Sequence, residues 1–438
     1  MPPRVAYSFV VDAGARFAYQ AWHLAHSLVH FCKAAPSEIH IQCTPEADQE
    51  SRRLFLAAGF QTHTITPFGD GRYCNKIAQF DALAGLDYDI FVLLDTDTIA
   101  TGDLRPWLTK QAVLAKTVDA ANPPITTLDE IVTKAGLRAA RERCPPDNGI
   151  AETYLGNCNG GFYSIPRVHL EMVCREWRRW ALWLLDHSGP LRRAGATIHV
   201  DQVSFWLALQ SSQAPFRAAP SNLNYFVHMD APHIYHDAGC DIALLHYHNH
   251  TLNVVGLIEP KIALAPTAAD AVRRANSLIG LHFNNTLFWN YRYAHHPERG
   301  SGLGSRGDNL AYKQLLLRVE GAESARTILD VGCGDLEVVK GLELRDYTGV
   351  DVSPLAIERA PMVLPNGKFY LGLREDLAAA DMVLCFEVLI HQTTMSAYRR
   401  VIDYACQRTG RTLLISGYDE SSLSIEANSM VHFHEPLS

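Results

Sequence analysis

The most constraining feature of the chain is the stretch Thr327-Ile-Leu-Asp330-Val331-Gly332-Cys333-Gly334-Asp335. An apolar, β-branched run passes straight into two glycines one residue apart. That order predicts a buried strand ending in a tight turn whose backbone can approach a ligand. The helix expected after such a turn offers free N–H groups. The next predicted strand, Tyr347 to Val350, ends in Asp351, 19 residues after Gly332. An acid at that place suits the two hydroxyls of a ribose. The third glycine of the full dinucleotide pattern is absent, with Glu337 and Val338 in its place. A nucleoside-type ligand is the functional reading, and a plain structural turn is the alternative.

Around this motif runs a series of strands, Thr327–Val331, Tyr347–Val350, Phe369–Leu371, Met382–Phe386 and Thr412–Ile415, alternating with helical stretches. An earlier, separate series includes strands at Tyr7–Val11, Ile39–Cys43 and Ile90–Leu94, with helices at Tyr19–Cys32 and Ser51–Ala58. Alternation of this kind predicts α/β domains with largely parallel sheets, which bind ligands beyond the carboxyl ends of their strands. The expected organisation is a first domain over 1–262, a linker over 263–285 and a second domain over 286–438. In Glu171–Leu185, the residues Trp177, Trp180 and Leu184 share a helix face, read as core; Arg175, Arg178 and Arg179 leave a membrane-surface helix as the lesser reading.

Among 438 residues, 47% are apolar and 20% charged, which excludes disordered and collagen-like chains. The formal charge of −8 argues against a broad nucleic-acid-binding face. No apolar run reaches the ~18 residues that span a bilayer, and the start is too short and strand-like for a signal peptide. Ten dispersed cysteines without a C-x-x-C pair point to a reduced, cytoplasmic setting. Oligomeric state is open.

The first series carries its own chemistry. Asp95-Thr96-Asp97 follows the apolar strand Phe91–Leu94. Two carboxylates at the carboxyl end of a buried strand can converge on a hard cation that also holds phosphates. Downstream come Asn157-Cys-Asn159-Gly160-Gly161-Phe162, then Val200-Asp201-Gln202 opening a helix, then Leu244-Leu245-His246-Tyr247-His248. Singly these read as a tight turn, a helix cap and a packed strand end. In this order with the Asp pair they resemble glycosyltransferases of the GT-A fold, the glycogenin-like group above all, over about residues 5–257.

That resemblance implies Asp95, Asp97 and His246 as ligands of Mn²⁺ (or Mg²⁺). It places Val10, Asp12, Lys76 and Thr96 near the nucleotide, and Asn159, Gly160, Asp201 and Gln202 around donor sugar and acceptor, with Asp201 as the catalytic candidate. The chain departs from the group after His246, where a Lys that contacts the pyrophosphate is usual. The next Lys here is Lys261, which leaves His248 or His250 to stand in for it.

The second series resembles class I S-adenosylmethionine-dependent methyltransferases over about residues 286–438. Leu-Asp-Val-Gly-Cys-Gly-Asp matches their first motif, Gly349-Val-Asp351-Val-Ser353 their second, and Asp381 to His391 their fourth strand and its loop. The resemblance implies a Rossmann-like domain lacking its last β-hairpin. Gly332 and Gly334 would contact the methionine part of the cofactor, Asp351 the ribose and Asp376 the adenine side; Asp330 belongs to the same motif. The cluster Phe288 to Tyr293 and the run Gly302 to Gly307 look like a substrate-covering segment, with Arg306 toward the cofactor carboxylate. His391 would be the base, with Glu387 as the second choice.

The leading expectation is therefore a bifunctional enzyme of bacterial surface-glycan synthesis. It would take a nucleotide-sugar donor and a glycan or glycolipid acceptor, with S-adenosylmethionine and a divalent metal as cofactors and at most peripheral membrane contact. The alternative is a methyltransferase joined to a non-catalytic domain that binds glycan or nucleotide.

Overall fold

The computed structural model describes residues 3–138, 142–418 and 430–437. The chain divides into two compact units, Met1–Asn253 with Ile258–Leu278, and Val254–Leu257 with Ile279–Ser438. The stretch 263–285, expected as a linker, holds the helix Pro266–Leu281. Ala268, Ala271, Ala275 and Leu278 form its buried face.

The first unit is built on a seven-stranded sheet. Its spatial order is Phe216–Ala219, Val113–Thr117, Cys158–Pro166, Ile90–Leu94, Val5–Val11, Ile39–Cys43, Gln61–Thr64. Cys158–Pro166 runs antiparallel to both its neighbours, and the other pairs are parallel. The reversal brings the amino end of Cys158–Pro166 to the carboxyl end of Ile90–Leu94. Leu94 faces Phe162 in the register, so Asp95 lies beside Gly161. A small second sheet pairs Leu244–His246 antiparallel with Thr98–Ala100, setting His246 opposite Thr98. That pairing carries a histidine distant in sequence to the Asp-x-Asp turn.

Ile90–Leu94 is buried at every position, as expected of a strand covered on both faces. Helix Arg167–Asp186 buries Trp177, Trp180 and Leu184, so the stripe is core. Trp177 packs edge-on against Tyr163 and Phe205, and its Nε1 donates to the carbonyl of Asp201 at 2.8 Å. The apolar core thus holds the first turn of helix Val200–Ser212, where Asp201 sits.

The second unit has a five-stranded sheet, all parallel, in the order Lys368–Leu371, Tyr347–Asp351, Ile328–Val331, Ala380–Cys385, Thr409–Ile415. In chain order this reads 3-2-1-4-5, the doubly wound arrangement whose ligand crevice opens where the winding reverses. Apolar clusters lie on both faces of the sheet. Among the described residues no strand follows Thr409–Ile415, and the stretch between Ile328–Val331 and Tyr347–Asp351, where the sequence predicts a helix, is a series of turns. All ten cysteines are free, and no described helix is long and apolar enough to cross a membrane.

Candidate functional site

In the first unit the chemistry gathers at the carboxyl edge of the large sheet. After Leu94 the chain turns sharply: Thr98 N–H and Oγ1 both donate to the carbonyl of Asp95, at 3.2 and 2.7 Å. Asp95 is held by Lys76, with 2.6 Å between Oδ1 and Nζ. Lys76 is buried, donates to the carbonyl of Gly160, and lies 3.9 Å from Asp201 Oδ2. Burial opposes the charge on Lys76, but the carboxylates of Asp95 and Asp201 outweigh it and raise the pKa. Burial pushes the Asp201 carboxyl up to about 7 against the pull of Lys76, and its Oδ1 has no hydrogen-bond partner among the described residues.

Asp97 faces the other way. Its Oδ1 lies 3.3 Å from His246 Nε2, and its Oδ2 lies 3.6 Å from His248 Nδ1. Burial alone would raise its pKa; the two imidazoles outweigh this and hold the carboxyl below its ordinary range. Asp97, His246 and His248 offer ligand atoms that all lie within 4.8 Å of one another, so this donor set fits a divalent ion. Asp95 is not in that group.

The paired glycines have a steric reason. A Cβ on Gly160 would come within 2.6 Å of Lys76 Nζ, and one on Gly161 within 2.6 Å of His246 Nδ1. Asn159 Oδ1 accepts the Gly161 N–H at 2.8 Å. Val10, next to last in the first strand, is half-buried, and Asp12 just beyond the strand accepts from Thr44 Oγ1 at 3.0 Å. Thr96 is buried between the two acids, and Gln202 follows Asp201 on its helix.

Asn224 and Phe226 were not singled out from the sequence. Asn224 bonds both Asn159 and His246, and the Phe226 ring stacks on His246 at 4.8 Å. They arrive through the pairing of Tyr225–Phe226 with Leu245–His246, which has no local sequence signal.

In the second unit Gly332 and Gly334 follow the first strand, with φ of 79° and 54°, a backbone region suited to glycine. A Cβ on Gly332 would strike Val388 Cγ2 at 2.3 Å. Asp351 Oδ2 accepts the Gly334 N–H at 3.0 Å, and Oδ1 accepts the Ser353 N–H at 2.8 Å. Both oxygens keep lone pairs for further donors, so this pair of acceptors fits a ribose diol. Burial pushes the Asp351 carboxyl up to about 6, although these N–H groups pull it back.

The segment before the motif does pack on the turn. Ser301 Oγ bonds Asp335 Oδ1 at 2.9 Å and Tyr293 OH at 3.0 Å. Arg306 pairs with Asp335 at 2.7 Å. His391 stands edge-on to Trp289, with Nδ1 3.1 Å from the Met430 carbonyl, and burial lowers its pKa. Glu387, at φ 59°, is held by the buried Lys313 at 2.9 Å. Asp330 is occupied otherwise: it is buried and accepts from Tyr347 OH on the neighbouring strand at 2.6 Å. Asp376 sits at the surface, paired with Arg374 at 2.7 Å, and no contact among the described residues joins it to the glycine turn.

No family model matches the chain, and no curated protein is significantly similar to it. Solved structures are. The galactosyltransferase LgtC in complex with donor and acceptor sugar analogues is 15% identical, with a TM-score of 0.39, covering 64% of this chain and 96% of that one. Mouse xyloside xylosyltransferase 1 is 12% identical, with a TM-score of 0.37, covering 56% of this chain and 98% of that one. Magnesium protoporphyrin IX methyltransferase ChlM from Synechocystis PCC 6803, with bound SAH, is 23% identical, with a TM-score of 0.23. That match covers 26% of this chain, which spans only 55% of ChlM.

Proposed function

We propose that the chain is a bifunctional enzyme. Its first unit transfers a sugar from a nucleotide-sugar donor to a glycan or glycolipid. Its second methylates a sugar hydroxyl with S-adenosylmethionine, in the building of a bacterial surface glycan. The observation that carries the first half is the meeting of Asp95, Asp97, His246, Lys76 and Asp201 at one sheet edge. A divalent ion held by Asp97 and His246 would neutralise the departing diphosphate. Lys76 holds Asp95 in place and shares the charge of Asp201. The free Oδ1 of Asp201 can accept a sugar hydroxyl, and the bare backbone of Gly160 and Gly161 lets the sugar approach.

In the second unit the Asp351 carboxylate accepts the ribose hydroxyls. His391 donates Nδ1–H to the Met430 carbonyl, which leaves Nε2 with a lone pair for an acceptor proton. S-adenosylmethionine bound there would supply an electrophilic methyl carbon between its sulfur and the acceptor oxygen, and the His391 imidazole would take the proton of the acceptor hydroxyl. Alignment of the three atoms supplies most of the rate.

Calorimetric titration with UDP, GDP and CMP, with and without Mn²⁺, tests the first half. Tight binding of one nucleotide only with metal is expected and names the donor class. Binding of none would leave a methyltransferase carrying an inactive or glycan-binding unit. For the second half, Asp351→Ala should weaken S-adenosylmethionine about 100-fold, the worth of two charged hydrogen bonds at ~1.5 kcal/mol each. Because the ionised carboxylate is the acceptor, wild-type affinity should rise with pH through about 6 and level off above it. A flat profile between pH 5 and pH 8, within about twofold, would remove Asp351 from the ribose site.

A further inference from the structure

We propose that His248 is a ligand of the cation in the first unit, making the centre a two-imidazole, one-carboxylate site that prefers a transition ion to Mg²⁺. The inference rests on the metal-dependent reading above and deepens it.

The Asp pair does not act as a pair here. Lys76 already meets the charge of Asp95 at 2.6 Å, which leaves Asp97 as the free carboxylate. Each Asp97 oxygen faces a different imidazole, at 3.3 Å for His246 Nε2 and 3.6 Å for His248 Nδ1. Ligand bonds of about 2.1 Å put donor atoms about 3–4 Å apart around an ion, the spacing seen for these atoms.

The state of His246 follows from one backbone group. The Gly161 N–H fixes Asn159 Oδ1 as an acceptor. Asn224 must therefore donate to it through Nδ2, which turns Asn224 Oδ1 toward His246 Nδ1 at 2.9 Å. His246 then carries its proton on Nδ1 and presents a lone pair at Nε2, the arrangement that orients metal-bound histidines.

His248 is set up separately. Its φ of 50° is a conformation that non-glycine residues avoid and that gathers at functional sites. Its ring lies 4.3 Å from that of His246 with planes 14° apart, and His228 braces it edge-on at 4.2 Å; because imidazole lone pairs lie in the ring plane, one of the two rings turns about its side-chain bonds to close on a shared ion. Two imidazoles are softer than the oxygen shell that Mg²⁺ demands, and they favour Co²⁺ and Zn²⁺ over Mn²⁺.

The test is titration of the full chain with Co²⁺, Zn²⁺, Mn²⁺ and Mg²⁺ alone, by calorimetry and, for Co²⁺, by its visible absorption. The variants are His248→Asn, Asp97→Asn and the surface control His187→Asn. Asparagine tolerates the left-handed backbone at 248, so the imidazole is removed without straining the turn. Wild type should bind Co²⁺ and Zn²⁺ at least about tenfold more tightly than Mg²⁺. His248→Asn should lose about tenfold or more in Co²⁺ affinity and change the Co²⁺ spectrum, with an unchanged melting curve, while His187→Asn matches wild type. If Asp97→Asn loses the ion but His248→Asn binds it as wild type does, the inference falls and the metal-dependent reading stands. If wild type binds none of these ions, both fall.

Discussion

Asp97→Asn should reduce metal-dependent sugar transfer by about a thousandfold or more and leave methylation by the same preparation unchanged. The argument is chemical rather than steric. Asparagine keeps the shape of the side chain, and the Tyr247 N–H that donates to the Asp97 carbonyl at 3.0 Å is a backbone contact the variant retains. What goes is the negative charge and one oxygen ligand. A cation that stabilises a leaving diphosphate is worth several kcal/mol in the transition state, and ~4 kcal/mol corresponds to about three powers of ten in rate. Asp95 cannot compensate while Lys76 holds it. The measurement is the initial rate of nucleotide release from the nucleotide-sugar that calorimetry identifies, beside the methylation rate. Release at the wild-type rate would discard the metal assignment. Loss of both activities with a lowered melting temperature would point to misfolding.

How far the site could be read from the sequence depended on whether its parts are local. Ile90–Leu94 and Ile328–Val331 are apolar runs ending in functional residues, and their strands fall where the pattern puts them. The Trp177 stripe is a periodic signal that core packing honours. Gln61–Thr64 and Phe216–Ala219 are the outer strands of the large sheet. The first is polar throughout and both are short, so neither stands out as a strand. The helix Pro266–Leu281 was obscured by the prolines before it, although its buried alanines recur at helical spacing. At the site, the exchange of partners was invisible: Lys76 with Asp95, Arg306 with Asp335 and His248 with Asp97 are set by tertiary register. Asn224 is the clearest case. Nothing in its neighbourhood marks it, and it matters because parallel pairing of two very short strands brings it under His246.

Lys116→Met should destabilise the first unit by about 3–5 kcal/mol, the usual cost of removing one partner from a buried ion pair. Lys116 and Asp147 are both fully buried, 2.8 Å apart. Without the ammonium, Asp147 keeps hydrogen bonds from Ser221 Oγ and His233 Nδ1, each at 2.7 Å, but it loses the fully buried Lys116 charge that faces it. For a unit of this size each kcal/mol shifts the midpoint by ~2–4 °C, so a drop of roughly 6–20 °C is expected in thermal melts. Adding Asp147→Asn should restore part of it, because both charges are then gone. The pH dependence has a definite sign. Burial pushes the Asp147 carboxyl up, yet His233, Lys116 and Ser221 together hold it below its ordinary range. Its contribution is therefore present above the unfolded value of about 3.9 and lost as pH falls below it. That acid-side loss should be smaller in Lys116→Met, where the carboxylate is less favoured. The effect reaches the site as well. Lys116 Nζ lies over the Phe226 ring at 3.9 Å, and His233 Nε2 bonds the Phe226 carbonyl at 3.0 Å. Phe226 in turn stacks on His246 and His248. A looser Phe226 should lower Co²⁺ affinity in Lys116→Met even at temperatures where the unit is fully folded. An unchanged melt would remove the pair from the stability of the unit, and an unchanged ion affinity would separate that stability from the histidine wall.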